Sequence, residues 1–159
     1  TTLGCLRAFD RLLDQGHSFD KVLDLGCGTA VLAMAAARVG LNSVIASDID
    51  PIAVEVAVVN VVANDLVGRV DCVQSIGFDA PVLTTGAPFD LIFANILKGP
   101  LIDLAPDVAL HLESGGMAIL SGLLLEQADD IIATYKGQGV TLVEREDIGE
   151  WTALTMTRA

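Results

Sequence analysis

The sequence predicts an α/β fold: a doubly wound, mostly parallel seven-stranded sheet with helices on both faces and an antiparallel terminal hairpin. Three observations carry this expectation. Short apolar runs alternate strictly with helical runs, the order that feeds parallel strands through helical crossovers. The chain is 52% hydrophobic but only 4% aromatic, so Val, Ala, Leu and Ile must fill a core on both faces of a sheet. The last two apolar runs are separated only by a short polar connection, which suits an antiparallel pair. With 159 residues, the chain fits a single domain, residues 1–159.

Taken in order, residues 3–15 place Leu3, Leu6, Phe9, Leu12 and Leu13 at helical spacing, and Gly16 ends that helix. Lys21 to Leu25 is the first strand, followed by Gly26-Cys27-Gly28. Thr29 is expected to cap a helix reaching about Val39 and closed by Gly40. Ser43 to Ser47 is the second strand, ending at Asp48-Ile49-Asp50. Asp50-Pro51 is an acidic cap followed by proline at the first helical position. The valine-rich run to about Asn64 is therefore a helix, although its composition alone suggests a strand.

Val70 to Gln74 is the third strand, and residues 75–88, with Gly77, Pro81, Gly86 and Pro88, read as a loop. Phe89 to Ala94 is the fourth strand, ending at Asn95. One helix is expected from Pro100 to about Leu112, a turn at Gly115-Gly116, and a fifth strand from Met117 to Ser121. A helix from Leu124 to about Tyr135 precedes the closing strands, Val140 to Glu146 and Trp151 to Thr157.

Charge and cysteine usage narrow the function classes. The formal net charge is −12, with nine Lys and Arg scattered along the chain. Phosphate neutralisation supplies much of nucleic-acid affinity, so no direct nucleic-acid binding is expected, and a basic protein or an amine is the more natural partner. Cys5, Cys27 and Cys72 are an odd set without C-x-x-C spacing; this points to a reducing cytoplasm rather than a disulfide or zinc framework. No apolar run is long enough to span a membrane. A cytoplasmic monomer is expected. The chain opens on Thr1-Thr2 and runs at once into a helical pattern, as the middle of a longer protein would.

In an open α/β sheet, ligands bind beyond the carboxyl ends of the strands, where the strand order reverses. Three strand ends carry polar residues able to meet there: Asp24 to Gly28, Asp48-Ile49-Asp50, and Asn95. A glycine loop lets backbone approach a ligand closely, though a plain tight turn explains such a loop equally well. Asp48, about 20 positions after Gly28 at the end of the next strand, stands where a carboxylate accepts from both ribose hydroxyls.

The dinucleotide fingerprint needs a third glycine at position 31, where Val31 stands. Asp24 beside the loop disfavours a pyrophosphate and suits a cation. S-adenosylmethionine combines a ribose with a sulfonium and an ammonium, and fits that pattern; the other reading of Asp24 is a capping carboxylate for a local turn. An NAD-dependent dehydrogenase is opposed by Val31 and Asp24 together. At the fourth strand end, the Asn95 carbonyl is placed to accept an amine N–H and aim the nitrogen at the methyl group; alone, it also reads as an asparagine satisfying a strand-end turn. Asp50 is assigned to the helix cap. His17 and His111 read as solvent-facing or capping, Cys27 as packed or near the cofactor through its backbone, and Cys5 and Cys72 as small core residues. Trp151 reads as packing the end of the sheet, and Glu144 to Asp147 as a solvated strand end. No nucleophile–histidine–acid set and no metal-ligand cluster is present in the pattern.

Asp24-Leu25-Gly26-Cys27-Gly28-Thr29, Asp48-Ile49-Asp50-Pro51 and Asn95-Ile96-Leu97, in that order, resemble the class I, Rossmann-like methyltransferases. Thr1-Thr2 before a helix, Ala94 to Leu101, Leu120-Ser121-Gly122-Leu123 and Glu150-Trp151 further resemble the bacterial methyltransferases of large-subunit ribosomal protein L-eleven (the PrmA family). The resemblance covers essentially the whole chain. It implies cofactor contacts from Thr2, Gly26, Asp48 and Asn95, with Asp24, Cys27, Gly28 and Ile49 beside them. It also implies methyl transfer from S-adenosylmethionine to lysine side chains and the terminal α-amine of the ribosomal protein, leaving S-adenosylhomocysteine, with Asn95 as the catalytic residue. The family's glycine-rich segment upstream of Thr-Thr and its amino-terminal substrate-recognition domain are expected to be absent. Two alternatives are a class I methyltransferase of another protein or small-molecule amine, and a non-catalytic S-adenosylmethionine-binding module.

Overall fold

The computed structural model describes residues 1–41 and 43–159. Its strands are β1 (Lys21–Leu25), β2 (Ser43–Asp48), β3 (Val70–Gln74), β4 (Phe89–Asn95), β5 (Leu112–Leu124), β6 (Val140–Ile148) and β7 (Trp151–Arg158). They form a seven-stranded sheet in the order β3-β2-β1-β4-β5-β7-β6. β1 to β5 pair in parallel, and β7 runs antiparallel to both β5 and β6. β1 is flanked by β2 on one side and β4 on the other. That is the point where the strand order reverses and a crevice opens. The predicted doubly wound α/β architecture with a closing hairpin is the one observed.

Strand alternation splits the core into two layers. Val22, Leu91, Phe93 and Ile119 face α1 (Thr2–Asp14), α2 (Val31–Arg38) and α3 (Pro51–Ala63). Leu23, Ile92, Ala94 and Leu120 face α4 (Pro81–Gly86), α5 (Lys98–Asp103), α6 (Ala105–His111) and α7 (Ala128–Gly137). Edge-on contact of Phe9 with Phe93, ring centroids 5.4 Å apart, seats α1 on the first layer. Arg11 pairs with Glu144 and Glu146, and Arg7 with Glu146, so α1 is also tied to β6. The acidic stretch expected to be solvated is thus engaged with α1 at two of its members. None of the described helices is long and apolar enough to cross a membrane.

The Asp50-Pro51 start is observed: the Asp50 carboxylate accepts the Ile52 N–H at 2.9 Å. Five local expectations are corrected. Thr29 does not cap α2. The residue before the helix is Ala30, in the left-handed region at φ 62°, without a side-chain cap. The stretch 75–88 is not all loop, because Pro81 opens the short helix α4. The single helix from Pro100 to Leu112 is two, α5 and α6, parted at Leu104; Pro106 has no N–H to continue the ladder. Gly115-Gly116 is not a turn before the strand but a bulge within β5. Phe89 pairs with Leu112 and Leu91 with Met117, so residues 113–116 stand out opposite Asp90. Finally, β5 runs on to Leu124, and a 3-10 turn at Leu125–Gln127 delays α7 to Ala128.

Candidate functional site

The loop after β1 is fastened to the end of β2. Gly26 and Cys27 both donate their N–H to the Ser47 carbonyl, at 2.8 and 2.9 Å. Gly28 donates to Asp48 Oδ2 at 2.8 Å, and Asp50 N–H donates to Asp48 Oδ1 at 3.0 Å. Each Asp48 oxygen therefore accepts one backbone hydrogen bond and keeps lone-pair capacity for a further donor. Gly26 is required twice over. Its φ is +71°, and a Cβ there would collide with Ile96 Cγ2.

Above these strand ends lies a cavity of about 350 Å³, lined by Leu25, Gly26, Ser47, Asp48, Ile49, Ser75, Gly77, Ile96, Leu97, Pro100 and Leu104. Its walls are mainly aliphatic, and no lining residue is basic. The Ser75 hydroxyl donates to the Gly77 carbonyl at 2.9 Å and accepts the Ala80 N–H at 3.1 Å, which shapes the far wall. Ile49 is 61% exposed at the mouth.

A second cavity of about 500 Å³ adjoins the first, sharing Ile96 and Leu97 and adding Thr1, Asn95, Gly122 and Trp151. Asn95 Nδ2 donates to Thr2 Oγ1 at 3.3 Å. That bond turns the amide so that its Oδ1 has no protein donor among the described residues. Gly122, at φ +83°, lies against the backbone of Ile96 so closely that a Cβ would overlap the Ile96 carbonyl oxygen. The Ser121-Gly122 segment of β5 is thus the floor on which the Asn95-Ile96-Leu97 turn rests.

Of the residues singled out from the sequence, Gly26, Asp48 and Ile49 line the first cavity and Asn95 the second. Thr2 reaches the site through Asn95, and Gly28 through Asp48. Asp24 and Cys27 are placed elsewhere. The Asp24 carboxylate is buried beneath the loop, where it accepts the Ala33 N–H at 3.0 Å. Burial pushes its pKa up to about 7; the Ala33 bond opposes this rise and the charge of Asp48 adds to it. It serves as the capping carboxylate, for a helix rather than a turn, and does not line either cavity. Cys27 is packed in the core beside α2, and burial drives its thiol well above the ordinary range, so it stays protonated at neutral pH. His17 stacks on Phe19, and His111 on Phe78; neither lines the two cavities.

Sequence reading missed Ser47, Ser75, Gly77, Pro100 and Leu104 in the first cavity and Trp151 in the second. Trp151, expected to pack the end of the sheet, is 43% exposed and walls the second cavity. It stands at the start of β7, opposite Leu124 at the carboxyl end of β5, a register between distant segments.

The family model for ribosomal protein L11 methyltransferase (PrmA) matches residues 1–159. The ribosomal protein L11 methyltransferase of Brucella abortus (strain S19) is 43% identical over 157 residues, covering 99% of this chain and 55% of the relative. That of Chelativorans sp. (strain BNC1) is 47% identical over 161 residues, covering 99% and 54%. The chain therefore spans about half the length of the curated relatives it matches. Among solved structures, a ribosomal protein L11 methylase from Lactobacillus delbrueckii subsp. bulgaricus superposes with TM-score 0.85 at 30% identity, over 99% of this chain and 78% of that one. A TehB-like SAM-dependent methyltransferase from Corynebacterium glutamicum shares the fold, with TM-score 0.73 at 17% identity over 98% and 88%.

Proposed function

As the chain belongs to the ribosomal protein L11 methyltransferase family, we propose that residues 1–159 form an S-adenosylmethionine-binding domain that methylates amines of that ribosomal protein. The observation that carries this reading is the pairing of an aliphatic cavity, ending in the half-satisfied Asp48 carboxylate, with a second cavity at Asn95.

The residues fit the cofactor. Asp48 retains acceptor capacity on both oxygens for a ribose diol. Leu25, Ile49, Ile96 and Leu104 offer apolar walls to a purine. No basic side chain lines the cavity to match a phosphate, which favours a nucleoside over a dinucleotide. When bound, S-adenosylmethionine supplies a methyl group activated by its sulfonium.

The chain's own part is positioning. Asn95, held by Thr2, presents Oδ1 as an acceptor for an amine N–H, so the nitrogen lone pair is directed into the site. Leu97, 72% exposed, and Trp151 wall the approach and limit water around the amine. The amine enters neutral; no residue of the site is assigned as its base. The net charge of −12 favours encounter with a basic protein.

The test is mass spectrometry of ribosomal protein L11 incubated with S-adenosylmethionine and this chain, with and without Asn95→Ala. Methyl mass on lysine and α-amino groups that falls at least about tenfold in the variant supports the reading. Methylation undiminished by Asn95→Ala, or methyl transfer only to small amines, overturns it.

A further inference from the structure

The aliphatic floor of the first cavity holds a hydroxyl with an unfilled bonding capacity. Ser47, next to the end of β2, is 1% exposed. Strand alternation turns its side chain the way Ile45 points, into the layer facing α4 to α7. Its register partners, Leu25 on β1 and Val73 on β3, belong to that same layer. Leu25 and Ser47 both line the cavity. Ser47 Oγ therefore stands at the cavity floor between two aliphatic side chains, and it has no hydrogen-bond partner among the described residues.

The polar groups around it are committed. The Ser47 carbonyl takes the N–H groups of Gly26 and Cys27. The Ser75 hydroxyl, on the same cavity, both donates and accepts within its own loop. Farther off, Ser121 Oγ donates to the Thr152 carbonyl, and Thr152 Oγ1 to the Glu146 carbonyl. Tyr135 Oη also lacks a partner, but it lies in the core and lines neither cavity of the site. A buried hydroxyl left unpaired forfeits the hydrogen bond it made to water, which is a standing cost. A ligand in the cavity removes that cost by supplying the partner, and an apolar pocket orients its ligand through a few such groups.

We propose that the Ser47 hydroxyl is a further cofactor-binding group, hydrogen-bonded to the nucleoside half of S-adenosylmethionine. The inference rests on the cofactor reading given above. The nucleoside half is the partner for two reasons. Ser47 lines the first cavity and not the second, and the next residue along β2 is Asp48, the proposed ribose acceptor. A purine nucleoside brings ring-nitrogen acceptors and hydroxyls, and a serine hydroxyl can pair with either.

Calorimetry of Ser47→Ala with S-adenosylhomocysteine and with adenosine tests this, beside thermal unfolding of the ligand-free chain. The expected result is a dissociation constant raised by about three- to tenfold for both ligands. The unfolding midpoint of the free variant stays at or above that of the unmodified chain, because no protein hydrogen bond is lost. Unchanged affinity overturns the proposal, and so does a loss confined to S-adenosylhomocysteine, which moves the contact to the amino-acid half. A lowered midpoint assigns the hydroxyl to the fold and overturns it too. Asp48→Ala separates this inference from the cofactor reading: binding weakened there but not in Ser47→Ala removes Ser47 alone, whereas no binding by the unmodified chain removes both.

Discussion

The Asp24 carboxylate of β1 accepts the backbone N–H of Ala33, the third residue of α2, at 3.0 Å. A strand residue thus caps the helix that Thr29 leaves uncapped, and it does so from a buried position where ionisation is costly.

Burial raises the Asp24 pKa from 3.8 to about 7. A carboxyl whose folded pKa exceeds its unfolded value binds its proton more tightly in the folded state. Its stabilising contribution is full below about pH 4 and is lost as pH rises through about 7. Urea unfolding should therefore show stability falling across that window, by something on the order of 1–4 kcal/mol. Asp24→Asn, which keeps an acceptor for Ala33, removes this part of the slope.

Asp48→Ala removes the acceptor of the Gly28 and Asp50 N–H groups and the proposed ribose contact. Calorimetry should show weaker S-adenosylmethionine binding, by roughly 1.5–3 kcal/mol for each hydrogen bond to the carboxylate that is lost. Unchanged affinity removes the ribose assignment.

Gly122→Ala places a Cβ onto the Ile96 carbonyl at a backbone angle of φ +83°. Both strain and overlap displace the Asn95-Ile96 turn. Stability should drop by about 1–3 kcal/mol. Methyl transfer measured well below the melting range should fall further than cofactor affinity does, because Asn95 lies in the displaced turn and Asp48 does not.

Trp151→Ala opens one wall of the second cavity without reaching the first. Turnover on the protein amine should decrease by about tenfold or more through lost positioning, with S-adenosylmethionine affinity unchanged by calorimetry. A parallel loss of cofactor affinity assigns Trp151 to the wrong cavity.

The strand cores and the Asp50-Pro51 helix start were legible because each depends on residues adjacent in sequence. Asp24 was legible as a polar strand end, and strand alternation also holds its direction. In β1, Leu23 belongs to the layer facing α4 to α7, and Val22 to the layer facing α1 to α3. Strict alternation then puts Leu25 and Asp24 on opposite faces, so only Leu25 lines the first cavity. Applied to β1 alone, the period of two already separates them. The break at Leu104 was hidden because apolar spacing continues through it; only the missing N–H of Pro106 distinguishes two helices from one. Ser75, Gly77 and Trp151 were hidden for another reason. Each joins a cavity through register between distant segments, and no local pattern encodes that.

The two cavities also differ in how far along the chain their walls are drawn from. The first is complete between Leu25 and Leu104. The second draws on both Thr1, just before α1, and Trp151, at the start of β7. Its walls are far apart in sequence, so bringing them together carries the larger loop-closure entropy. Local opening of that long-range packing dissolves the second cavity while the first persists, so the cavity proposed for the nucleoside can outlast fluctuations that abolish the one proposed for the amine.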